Sequence, residues 1–85
     1  GKVAGIDEDL VIPDHDKTIR NGAIAPFTTQ KFSTHLRDLI KLASEENFSI
    51  DTPYAELPKE VKSIIWKGKG NYIGIWNMPG IILTD

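Results

Sequence analysis

The stretch Thr29-Gln30-Lys31-Phe32-Ser33-Thr34-His35-Leu36-Arg37-Asp38-Leu39-Ile40-Lys41-Leu42-Ala43-Ser44-Glu45-Glu46 decides the fold of this chain. Its apolar residues Phe32, Leu36, Leu39, Ile40 and Ala43 recur at i, i+4, i+7, i+8 and i+11, the spacing of one face of an α-helix. Thr28 or Thr29 can cap the start by accepting from an orphan backbone N–H, and Pro26 blocks extension backwards. At the far end Asn47 tolerates the left-handed conformation that closes a helix, and Phe48 can fold back onto the stripe.

Working outward, a second, shorter helix is expected over 58–67. Pro58 suits the first helical position, where its missing N–H costs nothing. Leu57, Val61, Ile64 and Ile65 make the stripe, and Gly68 is placed to end it. Between the helices, Ile50 to Tyr54 reads as a connecting loop with buried anchors. Residues 1–26 read as an irregular extended arm, with helical turns at Asp7–Leu10 and Thr18–Asn21 and a positive φ at Gly22.

Downstream, residues 71–76 alternate, with Tyr72, Gly74 and Trp76 on one side and Ile73 and Ile75 on the other. Asn77-Met78-Pro79-Gly80 is turn chemistry, and Ile81–Leu83 is a second strand-like run, so a β-hairpin is expected. Two strands alone are marginal in water; Val3–Gly5 or Leu10–Ile12 could supply a third. The expected fold class is therefore α+β: one long and one short amphipathic helix packed on a small antiparallel β-hairpin or sheet, with an irregular N-terminal arm.

The chain has 85 residues, no cysteine, 40% hydrophobic and 26% charged residues. That is one domain, 1–85, of ordinary globular composition, with no disulfide or thiolate metal site. No repeat or linker divides it. No apolar run approaches the ~20 residues of a membrane helix, and no signal peptide opens it. Both ends, at Gly1-Lys2 and Asp85, fall inside apparent structure, which leads us to expect a piece of a longer protein.

Enzymatic signatures are missing. Lys67-Gly68-Lys69-Gly70-Asn71 has the flavour of a phosphate loop without its spacing or preceding strand, and reads as a helix end and turn. His15 and His35 have no adjacent residue that would make either a catalytic base, and His35 lies off the apolar stripe, as a solvated histidine would. Ser33, Ser44, Ser49 and Ser63 sit in no nucleophile motif. Asp7, Glu8, Asp9, Asp14 and Asp16 invite a metal, but a calcium loop begun at Asp14 would need Gly at its sixth position and Glu at its twelfth. The chain has Ile19 and Ala25 there. These acids read as turn caps that keep the arm soluble. No catalytic and no metal-binding residue is assigned.

Charge is uneven. The net charge is −2, which argues against a strongly basic nucleic-acid binder. Yet residues 58–70 carry Lys59, Lys62, Lys67 and Lys69 against Glu60 alone, followed at once by Tyr72 and Trp76. Lys31, Arg37 and Lys41 form a weaker basic face on the long helix, diluted by Asp38. Lysines beside aromatics and glycines can track a phosphate backbone and stack bases. Cations also favour any helix C-terminus, and tryptophans are commonly core. The candidate DNA-contacting residues are Lys62, Lys67 and Lys69, helped by Lys31, Arg37 and Lys41.

The series Gly1-Lys2-Val3-Ala4-Gly5-Ile6-Asp7-Glu8-Asp9-Leu10-Val11-Ile12-Pro13-Asp14 resembles a segment of the UvrA family, the damage-recognising subunit of the bacterial nucleotide-excision repair excinuclease. The likeness continues through Lys17-Thr18-Ile19, Gly22 to Phe27, Asn47 to Tyr54, Leu57-Pro58 and Val61, and fades after Gly68-Lys69-Gly70. From Tyr72 onward the pattern departs. In that family such a segment follows a Cys-rich zinc motif ending in Gly-x-Gly and belongs to an insertion that projects from the first of two ATP-binding cassettes toward DNA. The resemblance implies a non-catalytic, DNA-contacting insertion domain, with damaged duplex DNA as partner. The alternative is a protein-interaction or spacer module meeting UvrB or the parent chain. It further implies a cytoplasmic, homodimeric parent that binds ATP and zinc, neither of them in this piece, and that meets UvrB.

Overall fold

A computed structural model describes residues 8–78, 80 and 81. In chain order they form α1 (Glu8–Val11), a 3-10 turn (Ala25–Thr28), α2 (Ser33–Glu46), a second 3-10 turn (Tyr54–Glu56), α3 (Lys59–Lys67) and a third (Ile75–Asn77). The α+β expectation fails. Among the described residues there is no strand and no hairpin, only isolated bridges at Thr18–Pro53 and Lys69–Tyr72. The structure is mostly helical, with irregular connections.

The long helix starts later than its stripe suggested, at Ser33, and without a side-chain cap. The threonines expected to cap it are otherwise engaged. Thr28 Oγ1 donates to the Ala25 carbonyl at 2.7 Å and Thr29 Oγ1 to the Pro26 carbonyl at 2.6 Å, closing the turn before it, the local competition such hydroxyls offer. The end is as expected: Asn47 has φ 61°, and the Phe48 N–H donates to the Ala43 carbonyl at 3.0 Å, an αL closure with a hydrophobic residue folded back. The buried face is rotated slightly from the expected one. Leu39, Leu42 and Ala43 are buried, whereas Ile40 is 37% exposed. His35 is not fully solvated either: it is half-buried, with ring centroids 5.8 Å from Phe32 and 6.4 Å from Phe27.

In α3, Pro58 is the N-cap residue, one position before the first helical one. Val61, Ile65 and Trp66 are buried. The segment beyond explains the missing hairpin. Gly74 has φ +87°, closed to a side chain in a strand, and Gly68 has φ +92°. A Cβ on Gly74 would overlap the Lys67 carbonyl, and one on Gly68 would overlap the carbonyls of Tyr72 and Ile73. The two backbones cross in direct contact, which only glycine permits.

That crossing supplies partners to the orphan carbonyls at the end of α3. Tyr72 Oη donates to the Ile65 carbonyl at 2.6 Å. Asn77 Nδ2 donates to the Ile73 carbonyl at 2.8 Å and reaches the Lys67 carbonyl at 3.4 Å. Burial pushes the Tyr72 phenol far above its ordinary pKa, which keeps it a donor. Tyr72 and Ile75 are then buried and Ile73 is 41% exposed, so the two-residue alternation is broken by a turn. Of the other expected strands, Val3–Gly5 and residues 82 and 83 lie outside the described residues, and Leu10-Val11-Ile12 closes α1.

The N-terminal arm lies along the loop before α3. The Tyr54 and Ala55 N–H groups donate to the Lys17 and His15 carbonyls at 2.9 and 3.0 Å, and the Arg20 N–H donates to Ile50 at 3.1 Å. An exposed two-pronged pair joins Arg20 to Asp51, with Nε on Oδ1 at 2.5 Å and Nη2 on Oδ2 at 3.2 Å. Ile12, Ile19, Ile24, Phe27, Leu39, Ile65, Tyr72 and Ile75 meet in one core.

Two outcomes follow. Gly74→Ala is expected to cost on the order of 4 kcal/mol in chemical denaturation, because strain and overlap add. Gly70→Ala, at φ +60° with open space around it, is expected to cost roughly 1–2 kcal/mol; equal costs would refute the crossing. Hydrogen bonding from Arg20 holds the Asp51 carboxyl below the ordinary aspartate range. The pair's small contribution is therefore present above the unfolded pKa and lost as pH falls through the folded one. An NMR titration should show the depressed Asp51 value, and Arg20→Ala should abolish it.

Candidate nucleic-acid interface

The basic segment becomes, in three dimensions, one wall of a groove. α3 turns Lys59, Lys62 and Ser63 outward at i, i+3 and i+4, with Lys67 one turn further on. The third 3-10 turn brings Trp76 against Trp66, with ring centroids 6.3 Å apart and planes at 50°. Between them opens a groove of about 310 Å³, lined by Lys59, Lys62, Ser63, Trp66, Lys67 and Trp76, with Tyr54 on its floor and Glu8 at its edge.

The floor is fixed. Trp66 is buried, and its Nε1–H donates to Tyr54 Oη at 2.8 Å. Burial, outweighing that bond, raises the Tyr54 pKa, so the phenol stays neutral. Lys62 Nζ lies 5.2 Å from the Tyr54 ring centroid and donates to the Ala55 carbonyl at 3.2 Å. Its ammonium is thus tethered beside Tyr54 rather than swinging free, with cation–π attraction helping to place it. Lys59 and Lys67 are exposed.

The six cations singled out from sequence do not form one cluster. Lys62 and Lys67 share the α3 groove. Lys69 does not line that groove but an adjoining hollow shared with Lys59 and Ser63, and it pairs with Glu46 at 2.6 Å, tying the exit of α3 to the end of α2. Lys31 lies over the Phe32 ring at 5.4 Å, beside Gly80. Arg37 and Lys41 are exposed one turn apart on α2, and none of these three lines the α3 groove. Of the groove residues that were not among the candidates, two bear on a nucleic-acid contact: Lys59, whose helical spacing to Lys62 and Lys67 could have placed it, and Trp76, which is only half-buried.

Among the described residues no three His, Cys, Asp or Glu side chains are grouped to hold a metal ion. Asp14 instead accepts from the Asp16 N–H at 3.0 Å, a turn-capping contact. Lys67 to Asn71 forms a helix end and tight turn, with positive φ at Gly68 and Gly70. No helix among the described residues is long and apolar enough to cross a membrane.

Comparison with known proteins agrees with the resemblance read from the residues. Residues 7–78 match the model of the UvrA DNA-binding domain. UvrABC system protein A of Rickettsia bellii (strain RML369-C) is 37% identical over 70 residues, 82% of this chain and 7% of that protein. The same-named protein of Clostridium perfringens (strain 13 / Type A) is 39% identical over 72 residues, 81% of this chain and 8% of its own. That of Mycobacterium leprae (strain TN) is 32% identical over 71 residues, covering 82% and 7%. The chain thus spans less than a tenth of the length of these curated relatives. No solved structure matches it. By a match that covers most of its length, the chain belongs to the UvrA DNA-binding domain family.

Proposed function

We propose that this chain is the DNA-contacting insertion domain of a UvrA subunit in nucleotide excision repair, with the α3 groove as its contact. Lys59, Lys62 and Lys67 meet phosphates of damaged duplex DNA. Lys31, Arg37 and Lys41 form a second, weaker contact from α2, and Lys69 is held back by Glu46. The observation that carries this reading is the set of three lysines around one groove in a chain of net charge −2. Local potential, not bulk charge, then brings the phosphate backbone to this face.

The chain performs no catalytic step in this reading. ATP and zinc belong to other parts of the parent protein. Among the described residues no group of His, Cys, Asp or Glu could hold zinc. The parent acts in the cytoplasm as a homodimer that meets UvrB. A second surface favours a protein contact beside the DNA contact. A groove of about 510 Å³ between the end of α2 and the start of α3 has Phe48, Leu57, Val61 and Ile64 on its floor and Glu46, Glu56 and Glu60 on its rim, where phosphate would be repelled.

Three phosphate contacts predict a log–log salt slope of about −2 to −3 for duplex binding. Fluorescence anisotropy with labelled duplex at increasing salt should return that slope. Lys62→Ala with Lys67→Ala should weaken binding and flatten the slope by about 2, whereas Lys69→Ala should change it little. A slope indifferent to the paired change would refute the assignment.

A further inference from the structure

Phosphate contact leaves Trp76 without a role. The residue is only half-buried and lines the same groove as the three lysines. Its backing is rigid: it leans on Trp66, which is itself tethered to Tyr54. Its own backbone turn is held by the Asn77 amide on the Ile73 carbonyl at 2.8 Å. Part of an indole therefore stands in place before any ligand arrives, in a groove that three lysines also line.

A ligand fitted to that combination has both a flat ring and flanking negative charge. A bare phosphate has no use for the indole, and an apolar molecule has none for the lysines. Bases of intact duplex are stacked on one another and cannot reach it. A nucleotide whose base has left the stack meets both demands, as aromatic platforms in single-strand binding sites do. Glu8 at the groove's edge repels phosphate on that side, leaving the lysine wall for the backbone.

We propose that Trp76 is a stacking platform for an unpaired nucleobase, so that the α3 groove favours single-stranded or locally opened DNA over intact duplex. This rests on the reading of the groove as the DNA contact.

The test is anisotropy at low salt with three labelled probes: a duplex, the same duplex with a short unpaired bubble, and a single-stranded oligonucleotide. The bubble is expected to bind about fivefold tighter than the duplex, the low end for stacking one base because only part of the indole is open. Trp76→Leu, which keeps apolar contact with Trp66, should bring that ratio to about one, and Trp76→Phe should restore part of it. In the unsubstituted chain, the Trp76 indole N–H resonance should shift more on adding the bubble than on adding duplex. Equal affinities for bubble and duplex, or a preference that survives Trp76→Leu, overturn the platform while duplex binding that weakens on lysine replacement still upholds the phosphate contact. Absence of binding to all three probes overturns both.

Discussion

At Gly68 and Gly74 two stretches of backbone lie against each other with no side chain between them, and the rest of the candidate site depends on that contact. A helix leaves its last carbonyls without intrahelical partners, and burying them unpaired costs about 1–3 kcal/mol each. Here the chain beyond α3 returns to meet them. Tyr72 pairs with the Ile65 carbonyl, and the Asn77 amide bridges Ile73 and Lys67. The same return sets Ile75 into the core and Trp76 against Trp66. What terminates the helix also builds one wall of the groove.

How much of this could be read in the sequence depends on the range of the interaction. The helices were legible because Phe32, Leu36, Leu39, Val61 and Ile65 are spaced by local geometry, and their closures because Asn47 and Gly68 tolerate positive φ. The hairpin was not legible. Tyr72 to Trp76 alternates as a strand does, yet the alternation is incidental. Gly74 serves a backbone contact with Lys67, seven residues earlier, which no two-residue period encodes. A glycine inside an apparent strand was the available warning. The N-cap was misplaced for a related reason: the Thr28 and Thr29 hydroxyls serve the turn behind them rather than the helix ahead.

The candidate site divides the same way. The lysines of 58–70 stood out by count, but counting could not separate them. Lys69 lies only two residues from Lys67 yet is engaged by Glu46, which neutralises it. Nothing short of the tertiary arrangement joins Glu46 to Lys69 across the interval between the helices. Lys59 and Trp76 join the groove because a helical face and a returning turn bring them there. An acidic chain can thus present a basic face: Glu8 is the one carboxylate in the lining of the α3 groove, while Glu46, Glu56 and Glu60 line the neighbouring groove and Asp51 pairs with Arg20. Family membership makes DNA the expected partner, and the α3 groove is the face we propose for it.

The most direct test of the account is a set of nuclear Overhauser contacts around the glycine crossing in solution. The account predicts cross-peaks between the Gly74 and Lys67 backbones and between the Trp76 and Trp66 rings. A ladder of cross-strand contacts pairing residues 71–76 with 81–83, with the Gly74 backbone remote from Lys67, would contradict it.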